Sequence, residues 1–340
     1  MALRNLVAEY PGLRALVRDG DGEVLDTYLS TNNEVFARWC KDKIVKRELG
    51  GRAFQVLIDR PVDDNPGHYV VTASEYAGGF YAPDGKTLHH SVIAGKMLRD
   101  LVAPGAALVH LPNNGYRQPN LQLNYKERMR LLRGDESPLV DRMRAVTEGA
   151  ESVMTYGASQ AATTTLAFAA HPDVPTIAAG VVSIPTVLRR SPLQLATSFS
   201  GSAGNMHDNL RLMVPHTDHE TSYVDDYRRS FTAKNGARYL RAMVDADNVA
   251  ASGILRREAF VDTATRVLDK GSAMAHIWAT HDTVSPDNEN SRASEALSHS
   301  AVNGYMSLRL QGECADHSIV ALFPVGVLAV RMALLRNMTR

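Results

Sequence analysis

"MTYGASQAATTTLAFAA", residues 154–170, places a single serine behind a glycine, between an apolar run and a stretch of small residues. The residues before the serine, "SVMTYG" (152–157), have the composition of a buried strand, and the residues after it have that of a helix. A sharp turn between a strand and a helix leaves little room for side chains at its flanking positions. The stretch therefore predicts a strand–turn–helix unit with Ser159 at the turn.

The same alternation of strand and helix runs through most of the chain. The short apolar runs that predict strands are 54–59, 68–74, 106–112, 152–157, 176–184, 273–282 and 304–312. Because helical patterns such as that of residues 88–102 separate them, we expect an α/β fold with a mostly parallel central sheet and helices on both faces. The predicted organisation is an N-terminal helical extension (1–50), an α/β core in two parts (51–185 and 273–340) and a mainly helical cap or lid insertion between them (186–272).

The charge balance and the hydropathy of the sequence argue against nucleic-acid and membrane partners. Thirty-seven basic residues balance thirty-seven acidic ones, and this predicts binding to neither nucleic acid nor an anionic membrane surface. The most apolar stretch, residues 319–335, carries Pro324, Gly326 and Arg331 and is shorter than the roughly 20 residues of a membrane span. We find no signal-peptide pattern, so we expect a cytoplasmic protein with reduced cysteines. The oligomeric state stays open.

Three predicted strand ends carry the residue types of a nucleophilic triad. Ser159 follows the strand 152–157, Asp282 ends "AMAHIWATHD" (273–282), and His317 follows the last predicted strand in "ECADHSIV". In an open parallel sheet the carboxyl ends of the strands meet at one edge, so these side chains are expected to lie together. A serine hydroxyl needs an adjacent base, for which His317 is suited, and Asp282 would orient the imidazole.

These motifs, in the order Ser–Asp–His, resemble the α/β-hydrolase family over residues 50–340. "TYGASQA" resembles the nucleophile elbow, "ATHDTVSP" the acid loop and "CADHS" the histidine loop, although Ala161 stands where the elbow usually has glycine. The resemblance implies a serine hydrolase that uses neither a metal nor a cofactor and acts on a small-molecule or lipid-like ester. The oxyanion hole would be formed by backbone N–H groups, those of Gln160, Glu75 and Tyr76.

Other functions remain open at this point. The same residues serve peptidases, thioesterases and acyltransferases, and a fold of this kind can also persist as an inactive binding or structural module. Each assignment has a structural alternative as well. Ser159 could be an ordinary helix N-cap, Asp282 could cap a turn with Asp287 as the acid, and His317 could be a buried core histidine.

Two further clusters invite a metal interpretation. "PHTDHE" (215–220) groups two histidines with two acids, and "DGDGE" (19–23) resembles the start of a calcium loop. The first lies in the predicted cap among polar residues and the second lacks the later ligands, so we expect a solvated loop and a tight turn. His89 and His90 lie in a helical stretch, where we expect them to cap or pack. The sequence contains no phosphate-binding glycine motif.

Overall fold

The computed structural model describes residues 2–61, 67–76, 78–115, 117–184, 205–213, 222–230, 232–253, 258–300, 304–312 and 314–338. In these ranges the strands are β1 (Ile44–Leu49), β2 (Arg52–Asp59), β3 (His68–Ala73), β4 (Ala107–Leu111), β5 (Ser152–Ala158), β6 (Thr176–Val182), β7 (Ala273–Ala279) and β8 (Tyr305–Leu310). The α-helices are α1 (Ala2–Glu9), α2 (Asp21–Ser30), α3 (Asn33–Lys41), α4 (His90–Val102), α5 (Tyr125–Leu132), α6 (Ser137–Val146), α7 (Gln160–Ala170), α8 (205–213), α9 (Tyr223–Ser230), α10 (Ala233–Met243), α11 (Ala246–Ser252), α12 (Glu258–Asp269), α13 (Asp287–Ser300) and α14 (Phe323–Met338). Short 3-10 helices cover Pro11–Leu16 and His317–Ala321, and no helix among the described residues is long and apolar enough to cross a membrane.

The strands form one sheet in the order β1-β2-β4-β3-β5-β6-β7-β8. Strand β2 is antiparallel to both of its neighbours, and every pairing from β4 to β8 is parallel. Strands β2 to β8 correspond to the seven strands that the sequence predicts. The predicted fold class, a mostly parallel sheet covered by helices, is therefore confirmed. The described parts of the predicted cap are helical, namely α8 to α12.

The N-terminal extension predicted as helical over residues 1–50 needs a correction at its end. Its last residues, Ile44–Leu49, form strand β1 and pair with β2 through a turn at Gly50 and Gly51, both of which have positive φ. The strand carries three exposed charged residues at 46–48 because it lies at the sheet edge, where burial imposes no apolar pattern. Pairing with β2 decides this strand, and a pattern of buried residues could not have predicted it.

The helices preceding β1 pack on one face of the sheet together with α4 and α14. Leu6, Tyr10 and Leu13 are buried in the same apolar cluster as Val327 and Val330 of α14. Arg331 of α14 donates hydrogen bonds to Asp21 of α2, and its Nη2 lies 2.6 Å from Asp21 Oδ2. The extension is thus joined to the core by apolar burial and by a largely buried ion pair.

Strand β5 and helix α7 approach each other too closely for a side chain at residue 157. A Cβ added to Gly157 would lie 2.4 Å from the carbonyl oxygen of Ala161 and 2.4 Å from Thr165 Oγ1. The contact involves helix backbone, which cannot rotate away. Glycine at 157 therefore permits the tight strand-to-helix turn that the sequence predicts. Ala161, at the position where the elbow motif usually has glycine, is 1% exposed and packs in an apolar cluster with Phe168.

Replacing Gly157 with alanine should lower the free energy of unfolding by about 1–3 kcal/mol, because the added methyl group displaces α7 from β5. Gly236→Ala is the matched control, since a Cβ at that helical position meets no atom within 4 Å. The control should be neutral or more stable by about 0.5–1 kcal/mol. Urea denaturation followed by circular dichroism measures both variants. Equal stability of the two variants would contradict the close approach.

Candidate active site

Ser159 lies at the junction of β5 and α7 in an unusual backbone conformation. Its φ is 52° and its ψ is −130°, a region that residues with a side chain rarely adopt. Its N–H donates to the carbonyl of Val182 at 2.8 Å, which ties the turn to the end of β6. Although Ser159 occupies the N-cap position of α7, its side chain makes no capping hydrogen bond. The hydroxyl is therefore directed to other partners, and the N-cap interpretation is not supported.

The structure brings Ser159, Asp282 and His317 into one chain of hydrogen bonds. His317 Nε2 lies 3.0 Å from Ser159 Oγ, and His317 Nδ1 lies 2.9 Å from Asp282 Oδ2. All three residues are 4% exposed. They come from the ends of β5, β7 and β8, at the single sheet edge where the sequence analysis places them. A hydroxyl, an imidazole and a carboxylate in this order are equipped to activate the serine as a nucleophile.

Asp282 uses its two oxygens for different tasks. Oδ2 contacts His317, while Oδ1 accepts from the N–H groups of Val284 at 2.8 Å and Ser285 at 2.7 Å. The turn-capping role considered for Asp282 therefore coexists with the contact to the histidine. Asp287, the alternative acid, accepts instead from Arg309 and from the indole of Trp278.

His317 is a stronger base here than an ordinary histidine. Burial acts to lower the pKa of His317, but the charge of Asp282 and the hydrogen bond to it raise that pKa above the ordinary value of 6.5. A higher pKa makes the neutral imidazole a stronger general base for the proton of the Ser159 hydroxyl.

Asn113 links the loop after β3 to the start of α7. Its side-chain N–H₂ donates to the carbonyls of Ser74 at 3.1 Å and Glu75 at 2.8 Å, and to Gln160 Oε1 at 3.1 Å. In a planar trans peptide the following N–H points opposite to the carbonyl. The N–H groups of Glu75 and Tyr76 therefore point away from Asn113. Asn113 is not among the site residues predicted from the sequence, although an amide directly after a buried strand is a usable signal.

Glu75 belongs to a second buried cluster beside this loop, with His89 and His90. His90 Nε2 lies 2.8 Å from Glu75 Oε1, and His89 Nδ1 lies 3.3 Å from Glu75 Oε2. Burial acts to raise the pKa of Glu75, but His90 and His89 lower it to about 2. Burial lowers the pKa of His89 to about 3. Among the described residues these three side chains have metal-ligating atoms close enough together to hold an ion. His89 also caps α4 by accepting from the N–H of Ser91, as the sequence predicts.

Helix α9 of the predicted cap contacts the N-terminus of α4, and helix α10 contacts the loop after β3. The hydroxyl of Tyr227 lies 2.6 Å from His90 Nδ1. The hydroxyl of Tyr76 donates to the carbonyl of Met243 at 2.6 Å, and that of Tyr239 donates to the carbonyl of Tyr76 at 3.0 Å. The position of the loop therefore depends on the cap helices.

Helix α8 holds the loop that carries His317. Asn205 Nδ2 donates to Asp316 Oδ2 at 2.8 Å, and Asn209 Nδ2 donates to Ser318 Oγ at 2.7 Å. Asn209 Oδ1 accepts in turn from the hydroxyl of Tyr10 at 2.6 Å, so the N-terminal extension supports the same loop. The cluster "PHTDHE" (215–220) lies outside the described residues.

Comparison with solved structures identifies the fold. One match is a carboxylesterase from the ammonia-oxidizing thaumarchaeon Nitrososphaera gargenis, with a TM-score of 0.52 and 14% identity over 87% of this chain and 99% of that chain. Another is MGS-M2, an α/β hydrolase from a Medee basin deep-sea metagenome library, with a TM-score of 0.51 and 12% identity over 86% and 97% of the respective chains. No family model and no curated protein matches the sequence. The chain has the α/β-hydrolase fold, which confirms the resemblance seen in its motifs.

The raised pKa of His317 can be measured by NMR. In the wild-type protein the imidazole should titrate above 6.5, and Asp282→Asn should shift that pKa below the wild-type value, because the charge is removed while the burial remains. Asp287→Asn is the matched control, since its carboxylate contacts Arg309 and Trp278. An unchanged titration in Asp282→Asn would show that Asp282 does not act on His317.

Proposed function

We propose that the chain is a serine hydrolase that cleaves an ester bond through an acyl-enzyme intermediate on Ser159. The observation that carries the proposal is the continuous contact from Asp282 through His317 to Ser159, with distances of 2.9 and 3.0 Å. Two features support it further: the strained backbone that presents the serine and the burial of all three side chains. The catalytic roles of these residues, predicted from the sequence, remain part of the proposal.

In the first half of the reaction Ser159 Oγ attacks the carbonyl carbon of the ester as His317 Nε2 takes the hydroxyl proton. Asp282 stabilises the imidazolium that forms, and the raised pKa of His317 reflects this interaction. When the tetrahedral intermediate collapses, the bond to the alcohol oxygen breaks and His317 gives its proton to that oxygen. The alcohol leaves, and the acyl group remains on Ser159.

In the second half a water molecule attacks the acyl carbon while His317 accepts its proton. The bond to Ser159 Oγ breaks, the serine regains a proton from His317, and the acid is released. Each tetrahedral intermediate carries an oxyanion that needs two preorganised donors. The N–H of Gln160 is one, since the first N–H groups of a helix have no acceptor within it. The second comes from the loop after β3, where the N–H groups of Glu75 and Tyr76 both point away from Asn113.

The ester preference rests on analogy with the carboxylesterase of similar fold, and the substrate we propose is a small-molecule or lipid-like ester. Peptide and thioester hydrolysis and acyl transfer would use the same residues, so the leaving group is the quantity to measure. Neither a metal nor a cofactor enters the proposed reaction.

Ser159→Ala should remove labelling by a fluorophosphonate probe and lower kcat for p-nitrophenyl esters by about four to six orders of magnitude. Ser183→Ala is the matched control. Ser183 is also a buried serine with positive φ at the end of a neighbouring strand, and its hydroxyl has no partner among the described residues. The control should label and turn over like the wild type. A series of acyl chains from acetate to palmitate then describes the pocket.

Other outcomes discriminate between the alternatives. A folded wild type that does not label would indicate an inactive binding module. Labelling at Ser159 without ester turnover would retain the nucleophile and redirect the search to peptides, thioesters or acyl transfer.

Asn113→Ala should lower kcat without preventing folding, because it releases the Ser74 and Glu75 carbonyls from Gln160 and leaves the oxyanion donors less well placed. The loss should be smaller than the 10²–10³-fold effect of removing a donor itself, with KM little changed. Steady-state kinetics on the ester that the wild type hydrolyses best provide the measurement. Asn120→Ala serves as the control, since that side chain donates to the carbonyl of Asn113 and not to the carbonyls of Ser74 and Glu75. A loss as large in the control would assign the effect to general loosening of the loop.

A further inference from the structure

The cluster of Glu75, His89 and His90 has no part in the proposed reaction. Glu75 follows strand β3, whereas His89 and His90 stand at the N-terminus of α4. Their exposed fractions are 7%, 7% and 4%, so the cluster is enclosed by protein. The two imidazole rings are stacked with their centroids 4.5 Å apart, and both face the same carboxylate. Two imidazoles and a carboxylate are the donor set of many zinc sites.

The separations between the donor atoms are close to those around a single ion. Ligand atoms at about 2.1 Å from a zinc ion lie roughly 3.0–3.4 Å from one another at right or tetrahedral angles. The observed separations are 2.8 Å between His90 Nε2 and Glu75 Oε1 and 3.3 Å between His89 Nδ1 and Glu75 Oε2. One ligand atom from each residue lies within 4.8 Å of the other two. An ion would enter after side-chain rotations that bring the three donor atoms to a common distance from it.

A second observation points to a ligand at this position. Glu75 Oε2 is buried and has no hydrogen-bond partner among the described residues. An unsatisfied carboxylate oxygen in such surroundings costs free energy that a bound cation would offset. His90 Nδ1 lies 2.6 Å from the hydroxyl of Tyr227, the contact that orients a metal-bound imidazole and fixes its tautomer. At His89 the ion would take the place of both Ser91 contacts of Nδ1, the N-cap hydrogen bond from the Ser91 N–H and the contact with Ser91 Oγ, which also lies 3.4 Å from Ser74 Oγ and can turn towards it.

We propose that Glu75, His89 and His90 bind one divalent transition-metal ion, with zinc as the best match. Imidazole and carboxylate ligands together favour zinc over magnesium or calcium, which prefer oxygen alone. The three protein ligands leave a fourth position of a tetrahedral ion to water. The ion would join the loop after β3 to the N-terminus of α4 and so stiffen the backbone that carries Tyr76.

The test is direct measurement of metal binding by the full-length chain, in the wild type and in Ser159→Ala. Both proteins are dialysed against a chelator and titrated with ZnCl₂ by calorimetry and with CoCl₂ by visible absorption. We expect one equivalent per chain in each protein, with cobalt bands typical of nitrogen and oxygen ligands. Because Ser159→Ala must bind as the wild type does, the result is independent of the hydrolase proposal.

Substitutions test which residues bind the metal ion. Glu75→Gln, His89→Ala and His90→Ala should each weaken zinc binding by at least 100-fold, and Tyr227→Phe should weaken it by about 10- to 100-fold. His216→Ala with His219→Ala, in the "PHTDHE" stretch, is the matched control and should leave binding unchanged. Circular dichroism establishes that each variant is folded.

Three results would overturn the proposal: no stoichiometric binding by the folded wild type, loss of binding in the control double variant, or a cobalt spectrum dominated by thiolate charge transfer from Cys40 or Cys314. The wild-type titration and spectrum decide the matter even where a ligand variant fails to fold.

Discussion

The close backbone approach between strand β5 and helix α7 underlies the rest of the arrangement. Since a Cβ at residue 157 would meet the Ala161 carbonyl at 2.4 Å, only glycine lets the helix start directly from the strand. That tight turn forces Ser159 into its strained conformation and turns its hydroxyl away from the helix end. The surrounding structure must offset this strain, and the hydrogen bond from Ser159 N–H to Val182 is one visible contribution.

The partners of Ser159 are held by segments distant in sequence. The loop of His317 is fastened to helix α8 through Asn209, which Tyr10 of the N-terminal extension contacts in turn. The N-terminal residues and helix α8 therefore both restrict where the imidazole can lie. A histidine positioned by packed neighbours loses little conformational entropy when it takes a proton, which favours catalysis by preorganisation.

A chain of hydrogen-bonded buried polar groups supports the loop after β3. His110 lies 2.8 Å from the hydroxyl of Thr72 and 2.9 Å from the hydroxyl of Ser74. Glu75 lies 2.8 Å from His90. Burial lowers the pKa of His110 to about 3, so its neutral ring both donates and accepts. Buried polar groups are costly unless nearly all of them find partners. Glu75 Oε2 is an exception in this network, since it has no hydrogen-bond partner among the described residues. This exception motivates the proposed metal site.

The sequence by itself determined the α/β class, seven of the eight strands and the three residues that meet at the sheet edge. It could do so because burial imposes local apolar patterns and because parallel strands bring their carboxyl ends to one edge. Tertiary structure alone decided strand β1, whose charged residues 46–48 gave no apolar signal. Tertiary structure also placed Asn113 beside Gln160. It placed Glu75 beside His89 and His90, which lie fourteen and fifteen positions later in the sequence. These contacts join residues on different elements, and the sequence pattern within one element does not indicate which side chains will meet across the fold.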